Sequence, residues 1–346
     1  SPMNSPVIRK ALTFRASSIG DCLMGRYLLQ NIHDQFPEAK LGLVVAGRGD
    51  MIRDLFASSP WITVIEANRR NLPSLIRLWK EFHSSDLTVT QYTGKVGSRF
   101  GLASKIAARL LTRKGRLIGF NDAFAHNGFI YDKLLPFRAD APVVEHEREA
   151  LRVAGLSVVV PYPTLPLEHH AETLAKFSVL KGTYLVLHFF AGNKGRSMRP
   201  EKANELLSLL RTMYGDNITF LVSGAPADRD TAVHIAESIP NTRVIAGGAS
   251  LQEMMQLVSS SMGVISVDTG IAHITAHLSR PLVVLRSCLG PNWWFSEAYG
   301  PARSIAQHTR EDLCVPHVFR DYPVCLDDID LSKVKESASL LFSRPT

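Results

Sequence analysis

Two rhythms of apolar residues take turns along this chain. Short runs such as "VIRKALTF", "KLGLVVAG" and "ITVIEA" have the length and β-branched content of buried strands, and longer stretches between them carry apolar residues every three or four positions. In "CLMGRYLLQNIHDQF" these are Leu23, Tyr27, Leu28, Ile32 and Phe36, the spacing of one helix face. The alternation continues through helix "GDMIRDLFASS", helix "LPSLIRLWKEFH", strand "LTVTQY", a basic helical stretch and strand "RLIGF". Strand and helix in turn predict an α/β fold, a parallel sheet covered by helices.

The Pro-rich segment "VVVPYPTLPL", from Val158 to Leu167, breaks the rhythm and reads as a linker. The rhythm then restarts with strand "TYLVLHFF", polar loop "AGNKGRSMR" and helix "PEKANELLSLLRTMY", whose Pro200 sits where a missing N–H does no harm. Strand "NITFLVSG", helix "ADRDTAVHIAESI" and strand "TRVIAG" follow, then a helix announced by Ser250 and Glu253 in capping-box spacing. Strand "GVISV" runs into "DTGIAH"; strand "RPLVVLRS" and helix "LSKVKESASLLF" come last. The 346 residues therefore read as two Rossmann-like, doubly wound domains, 1–160 and 161–330. Residues 331–346 form a C-terminal helix expected to pack back on the N-terminal domain. In open parallel sheets ligands bind outside the carboxyl ends of the strands, so the expected site is a cleft between the two halves.

Composition adds boundaries. With 45% hydrophobic and 21% charged residues the chain is of globular type, and no apolar stretch approaches the roughly 20 residues that span a bilayer. "SPMNSPVIRK" lacks the apolar core of a secretory signal, with Ser1 and Pro2 reading as a tag remnant, so a soluble, cytoplasmic protein is expected. Cys22, Cys288, Cys314 and Cys325 are scattered, which fits a reducing compartment and offers no disulfide framework. Cys314, His317 and Cys325 lack the second close pair of a zinc site. The formal charge of +7 is moderate, but residues 95–116 hold Lys95, Arg99, Lys105, Arg109, Arg113, Lys114 and Arg116 with no acid among them. That interval suits a phosphate- or carboxylate-rich partner, or a solvated helix face. Nucleic acid is not expected, since only Phe100 offers a stacking ring there.

Strand-to-helix loops carry the candidate chemistry. In Asp268-Thr269-Gly270 an acid follows a buried strand, a glycine lets a ligand approach the backbone, and the next helix presents N–H groups and a positive dipole end. A diphosphate fits there; so does an Asp that only caps the helix. His273, in the first helical turn, faces the same anion as donor or cation. His277 completes a metal-pair spacing without an accompanying acid, and reads as a packed or surface residue. Lys194, Arg196 and Arg199 in "GNKGRSMR" again suit an anion, although GxxxxGK[ST] and a strand-linked GxGxxG are both absent. In "RASSIGD", Ser17, Ser18 and Gly20 make a tight turn into Asp21, a carboxylate that either takes a proton from an attacking hydroxyl or caps the helix.

Together these segments resemble the lipopolysaccharide heptosyltransferase family, the ADP-heptose transferases of glycosyltransferase family 9 with the GT-B fold. "FRASSIGDCLMGRYLLQNIHDQFPEAKLGLVV" is similar to the family's opening strand, turn and helix, and "VVEHEREALRVAGL" to the segment before its linker. "FLVSGAPADRDTAVHIAESI", "VISVDTGIAHITAHLSRPLVVL" and "CLDDIDLSKVKESA" match three later segments in the right order. The resemblance implies inverting transfer of a heptose from a nucleotide diphosphate donor to a sugar hydroxyl of the lipopolysaccharide core, with no metal or resident cofactor. It makes Asp21 the general base of the acceptor domain and Asp268, Thr269, Gly270 and His273 the donor motif, with Lys194, Arg196 and Arg199 beside it. Ser18, Gly20, Lys95 and Arg99 become acceptor contacts, the acceptor being an acidic glycolipid at the cytoplasmic face of the inner membrane, which the protein touches peripherally.

Three positions depart from the family pattern. Ser197 stands where a Lys is common, Pro226 where some members carry an acid, and "RSCLGPNWWFSEAYGP" replaces "FGPTDP". The alternatives are a GT-B transferase using another nucleotide sugar or a protein acceptor, and a non-catalytic homologue that binds a sugar nucleotide.

Overall fold

The computed structural model describes residues 6–91, 101–288, 294–301, 303–314 and 321–342. Among these the chain divides between Thr164 and Leu165 into two compact units. In the first, β1 (Lys10–Phe14), β2 (Lys40–Val45), β3 (Ile62–Glu66), β4 (Leu87–Thr90), β5 (Leu117–Phe120) and β6 (Lys133–Leu135) form a parallel sheet in the order β3-β2-β1-β4-β5-β6. Its helices are α1 (Ile19–Gln35), α2 (Gly49–Leu55), α3 (Leu72–Phe82), α4 (Leu102–Leu111), α5 (Asn127–Ile130) and α6 (Val143–Val153).

The second unit opens with α7 (Ala171–Lys176) and then repeats the plan: β7 (Tyr184–His188), α8 (Pro200–Tyr214), β8 (Thr219–Ser223), α9 (Arg229–Ala236) and β9 (Thr242–Val244). It continues with α10 (Leu251–Ser260), β10 (Gly263–Val267), α11 (Gly270–His277), β11 (Leu282–Leu285), β12 (Ile305–His308), α12 (Val324–Asp327) and α13 (Leu331–Leu341). Its parallel order, β12-β11-β10-β7-β8-β9, is the same topology read from the opposite edge. Each sheet winds outward from its first strand and then reverses, so β1/β4 and β7/β10 are the two switch points where such sheets leave a crevice. The sequence pattern misses β6 and β12. Both are short edge strands, β6 mostly exposed and β12 half-buried, and neither carries a long apolar run.

The linker expectation holds, and three others need correction. The Pro-rich segment carries the boundary between the units, and its first part is held by α1: Asn31 accepts the N–H groups of Val159 (2.9 Å) and Val160 (2.8 Å), and Arg26 donates to the Thr164 carbonyl (2.7 Å). Prolines keep this stretch out of a sheet, and side chains of α1 take up its backbone groups instead.

The C-terminal helix, expected on the N-terminal domain, takes its place within the second unit. Val334, Ala338 and Phe342 join the core of the second, and the Tyr214 hydroxyl donates to the Ala338 carbonyl at 3.2 Å. Gly263 makes room for it, since a Cβ there would lie 2.2 Å from the Phe342 ring.

A disulfide joins Cys288 to Cys314, with Cα atoms 5.8 Å apart. Cys288 follows β11 and Cys314 follows β12; parallel neighbours end at the same sheet edge, so the residues after them meet. That takes Cys314 out of any zinc set, and His317 lies outside the described residues. Cys22 and Cys325 are buried thiols.

The basic interval is less available than its charge suggests. Lys105, Arg109 and Arg113 pair with Asp122 (2.6 Å), Asp132 (2.6 Å) and Asp86 (2.8 Å), acids distant in sequence that the sheet brings back. Among the described residues no helix is long and apolar enough to cross a membrane.

Candidate functional site

Each switch point gathers polar residues, and in the first unit they surround Asp21. Ser18 caps α1: its hydroxyl accepts the Asp21 N–H at 3.3 Å and donates to the Asp21 carboxylate at 2.5 Å. Asp21 thus sits in the first turn, where the helix dipole favours a negative charge, while Gly20 is buried. Across the switch point, Gln91 after β4 accepts the Ala16 N–H at 2.6 Å. Beneath lies a buried ion pair. Arg15 meets Glu147 of α6 through both guanidinium nitrogens, one at 2.8 Å, and its Nε donates to Thr13 at 2.7 Å.

Burial pushes the Asp21 carboxyl above its ordinary range, and the Ser18 hydrogen bond, the Arg15 charge and Gln91 pull it back. A carboxylate raised in this way is a stronger proton acceptor than one in water. Lys95 and Arg99 lie outside the described residues.

In the second unit the site grows from β10 into α11. Thr269, not Asp268, holds the cap position of α11, and its side chain makes no cap hydrogen bond. Asp268 is buried, with its carboxyl 3.6 Å from His273 Nε2. Burial raises the Asp268 pKa to about 6, against Arg196, Trp294 and Arg286, which lower it. Burial, and Arg196 after it, push the His273 pKa down to about 3. The imidazole is therefore neutral at pH 7, a hydrogen-bond donor and not a cation, and the 3.6 Å approach is not an ion pair.

The basic loop after β7 divides. Arg196 lies close enough to Asp268 and His273 to shift both. Arg199 turns away, pairing with Asp327 at 2.8 Å and stacking over Tyr322, and the Lys194 nitrogen sits 5.5 Å from the same ring. Ser197 braces the loop from inside, accepting the Ala191 N–H and donating to the Asn193 carbonyl, both at 2.9 Å. His277 is a packed residue, edge-on to Tyr299 at 5.4 Å.

A profile of glycosyltransferase family 9 (heptosyltransferase) matches residues 103–288, more than half of the chain. The chain belongs to glycosyltransferase family 9. Lipooligosaccharide heptosyltransferase 2 of Haemophilus influenzae is 23% identical over 297 residues, covering 80% of this chain and 83% of the relative. Lipopolysaccharide heptosyltransferase 1 of Escherichia coli is 24% identical over 320 residues, 88% and 95% of the two chains. The solved E. coli ADP-heptose lipopolysaccharide heptosyltransferase II superposes with a TM-score of 0.70 at 16% identity, over 96% of this chain and 98% of that one. The two parallel six-stranded sheets are thus a GT-B-like fold, and this family-9 member is a heptosyltransferase-like glycosyltransferase.

Several residues beside these polar clusters escape a reading of the sequence. Trp294 stacks on His273 with ring centres 4.6 Å apart, and His188 at the end of β7 contacts the Ser223 hydroxyl at 2.8 Å at the end of β8. A polar residue closing a buried parallel strand was the available signal for His188 and Ser223. For Glu147 it was an acid set in the apolar stripe of α6, between Val143 and Leu151.

Proposed function

We propose that the chain is an inverting transferase that moves a heptose from ADP-heptose to a sugar hydroxyl of a lipopolysaccharide core. One observation carries the reading: each sheet has a polar cluster at its switch point, a basic carboxylate in one unit and an uncapped helix start beside Arg196 and His273 in the other. Asp21 takes the proton of the acceptor hydroxyl as that oxygen attacks the anomeric carbon of the heptose. The bond from that carbon to the diphosphate oxygen breaks, its electron pair leaves with ADP, and attack from the opposite face inverts the centre. The α11 N-terminus, Arg196 and the His273 N–H receive the diphosphate charge, with Thr269 and Gly270 allowing close approach and Lys194 at the rim. Asp268 orients Arg196 and His273. Arg199 holds the loop through Asp327, and Ser18 and Gly20 shape the acceptor side.

This chemistry needs no metal and no resident cofactor. Its acceptor is an acidic glycolipid, which sets the place of work at the cytoplasmic face of the inner membrane.

A second reading, transfer from a different nucleotide sugar, is favoured by Trp294, since the indole stacked on His273 comes from the loop that departs from the family pattern. Calorimetric titration with ADP-heptose, UDP-sugars and GDP-sugars separates the two. Binding of ADP-heptose alone is expected, and failure of every ADP-sugar to bind sinks the first reading. For the base, Asp21→Asn is expected to lower transfer by about a hundred- to ten-thousand-fold with donor affinity unchanged. Unchanged transfer would remove Asp21 from the mechanism.

A further inference from the structure

One face of the first sheet has exposed apolar side chains that its own core does not need. Leu78 and Phe82 of α3 and Ala108 and Leu111 of α4 enter one cluster with Leu12, Val44 and Ile65, so both helices cover the same face of the sheet. Helix α3 rests on β1 and β3, α4 on β4, and α5 packs against α4. Their inward stripes account for the core. Outward, α3 presents Leu72, Ile76 and Trp79, and α4 presents Leu102, Ile106 and Leu110, second stripes at helical spacing. Trp79 is 53% exposed, Leu110 66%, and Phe129 of α5 is 91%.

Seven of the sixteen large apolar side chains exposed among the described residues fall on these three helices. Scattered exposure needs no explanation, but concentration on one face does.

The charges around this face identify its occupant. Arg69 and Arg70 stand before α3, Lys80 near its end and Lys114 after α4, all exposed. Glu81, the acid on α3, is held by Arg77 at 2.7 Å and Lys40 at 3.8 Å. A protein partner's interface would be depleted in lysine. Leu, Ile, Phe and Trp side chains framed by Lys and Arg are instead the composition of helices that lie in the plane of an anionic bilayer surface, with tryptophan at headgroup depth.

We propose that the outer face of α3, α4 and α5 is a docking surface for an anionic lipid bilayer, with Ile76, Trp79, Ile106, Leu110 and Phe129 entering the headgroup region. The N-termini of α3 and α4 lie at the strand ends that carry Asp21, because both helices run back antiparallel to the strands they follow. A lipid-anchored substrate at that surface would therefore meet the first switch point. The docking itself does not depend on the functional reading, since no donor or acceptor enters it.

The test is co-sedimentation of the full chain with vesicles of phosphatidylethanolamine and phosphatidylglycerol, against phosphatidylcholine alone. The protein is expected on the mixed anionic vesicles, to leave them at high salt, and to stay off phosphatidylcholine. Lys80→Gln is expected to weaken partitioning roughly fivefold. Ile76→Ser with Trp79→Ser should abolish it; both sites are exposed, so an unchanged melting temperature checks the fold. Equal binding to both vesicle types, or wild-type partitioning by the double variant, overturns the proposal. So does concentration-dependent self-association that the double variant removes, without vesicle binding, since the face would then belong to a second copy. Loss of all transfer activity in the wild-type protein alongside intact vesicle binding would count against the functional reading alone.

Discussion

Glu147 occupies a position of α6 whose neighbours Val143, Val144, Ala150 and Leu151 are all buried, and it is buried itself. Arg15 makes this tolerable by meeting it with a forked pair of hydrogen bonds, and Gly25 of α1 makes room for Arg15, since a Cβ there would lie 3.1 Å from its Cγ and Nε. Removing one partner strands the other in the interior. Glu147→Gln is expected to lower stability by about 3 kcal/mol, measured by urea unfolding, while Arg15→Met combined with Glu147→Leu recovers most of the loss. Glu147 also raises the Asp21 pKa and Arg15 lowers it, so Glu147→Gln should move the acidic limb of a pH–rate profile to lower pH. A limb that stays put would show that the pair does not act on Asp21.

Titration of the second unit can be read the same way. His273 at about 3 and His188 at about 4 lie below the ordinary histidine value, so the folded protein binds fewer protons than the unfolded chain. Their stabilisation is complete above that ordinary value, near pH 6.5, and is lost as pH falls toward 3 to 4. Asp268, raised to about 6, has the opposite sign and gains stability as pH falls from 6 toward 4. Two histidines outweigh one aspartate, and a falling melting temperature from pH 7 to pH 4 is expected. His188→Asn should flatten that fall and Asp268→Asn should steepen it; a fall untouched by either would place its origin elsewhere.

Among the elements, α13 is the one whose partner could not be read in advance. Its own sequence offers an apolar stripe and nothing to say which sheet receives it. The receiving feature is an absence, the missing side chain at Gly263, into which Phe342 fits. Phe342→Ala is expected to cost about 3 kcal/mol, and Gly263→Ala should expel the ring and lower the melting temperature comparably. Hydrogen exchange across 331–342 would register the loosened helix, and unchanged protection in Gly263→Ala would refute this packing role. By contrast α8, β10 and the capping box of α10 are legible directly. Pro200 starts the first, the run Gly263–Val267 is wholly buried, and Ser250 and Glu253 exchange backbone hydrogen bonds at 3.1 and 2.9 Å.

For the whole molecule, the crosslink between Cys288 and Cys314 yields a count. Alkylation of the denatured, unreduced protein followed by intact mass is expected to label two cysteines, and four after reduction. Four labels without reductant would mean that the pair is not joined in the protein as made.

The alternation of strand and helix along the chain was enough to determine two parallel α/β halves, because each period states which residues must leave water. The loops closing the strands were enough to nominate Asp21 and Asp268, since ligands gather where parallel strands end. Tertiary structure decided what those residues are. It set Asp21 over a buried ion pair whose partners lie 132 residues apart, and made His273 neutral by burial. It sent Arg199 to Asp327 while keeping Arg196 beside Asp268, and it answered Lys105, Arg109 and Arg113 with distant acids. A residue's type and spacing are local properties of the chain. Its charge state and its partner depend on what folding brings within a few ångströms and on how much water is left there.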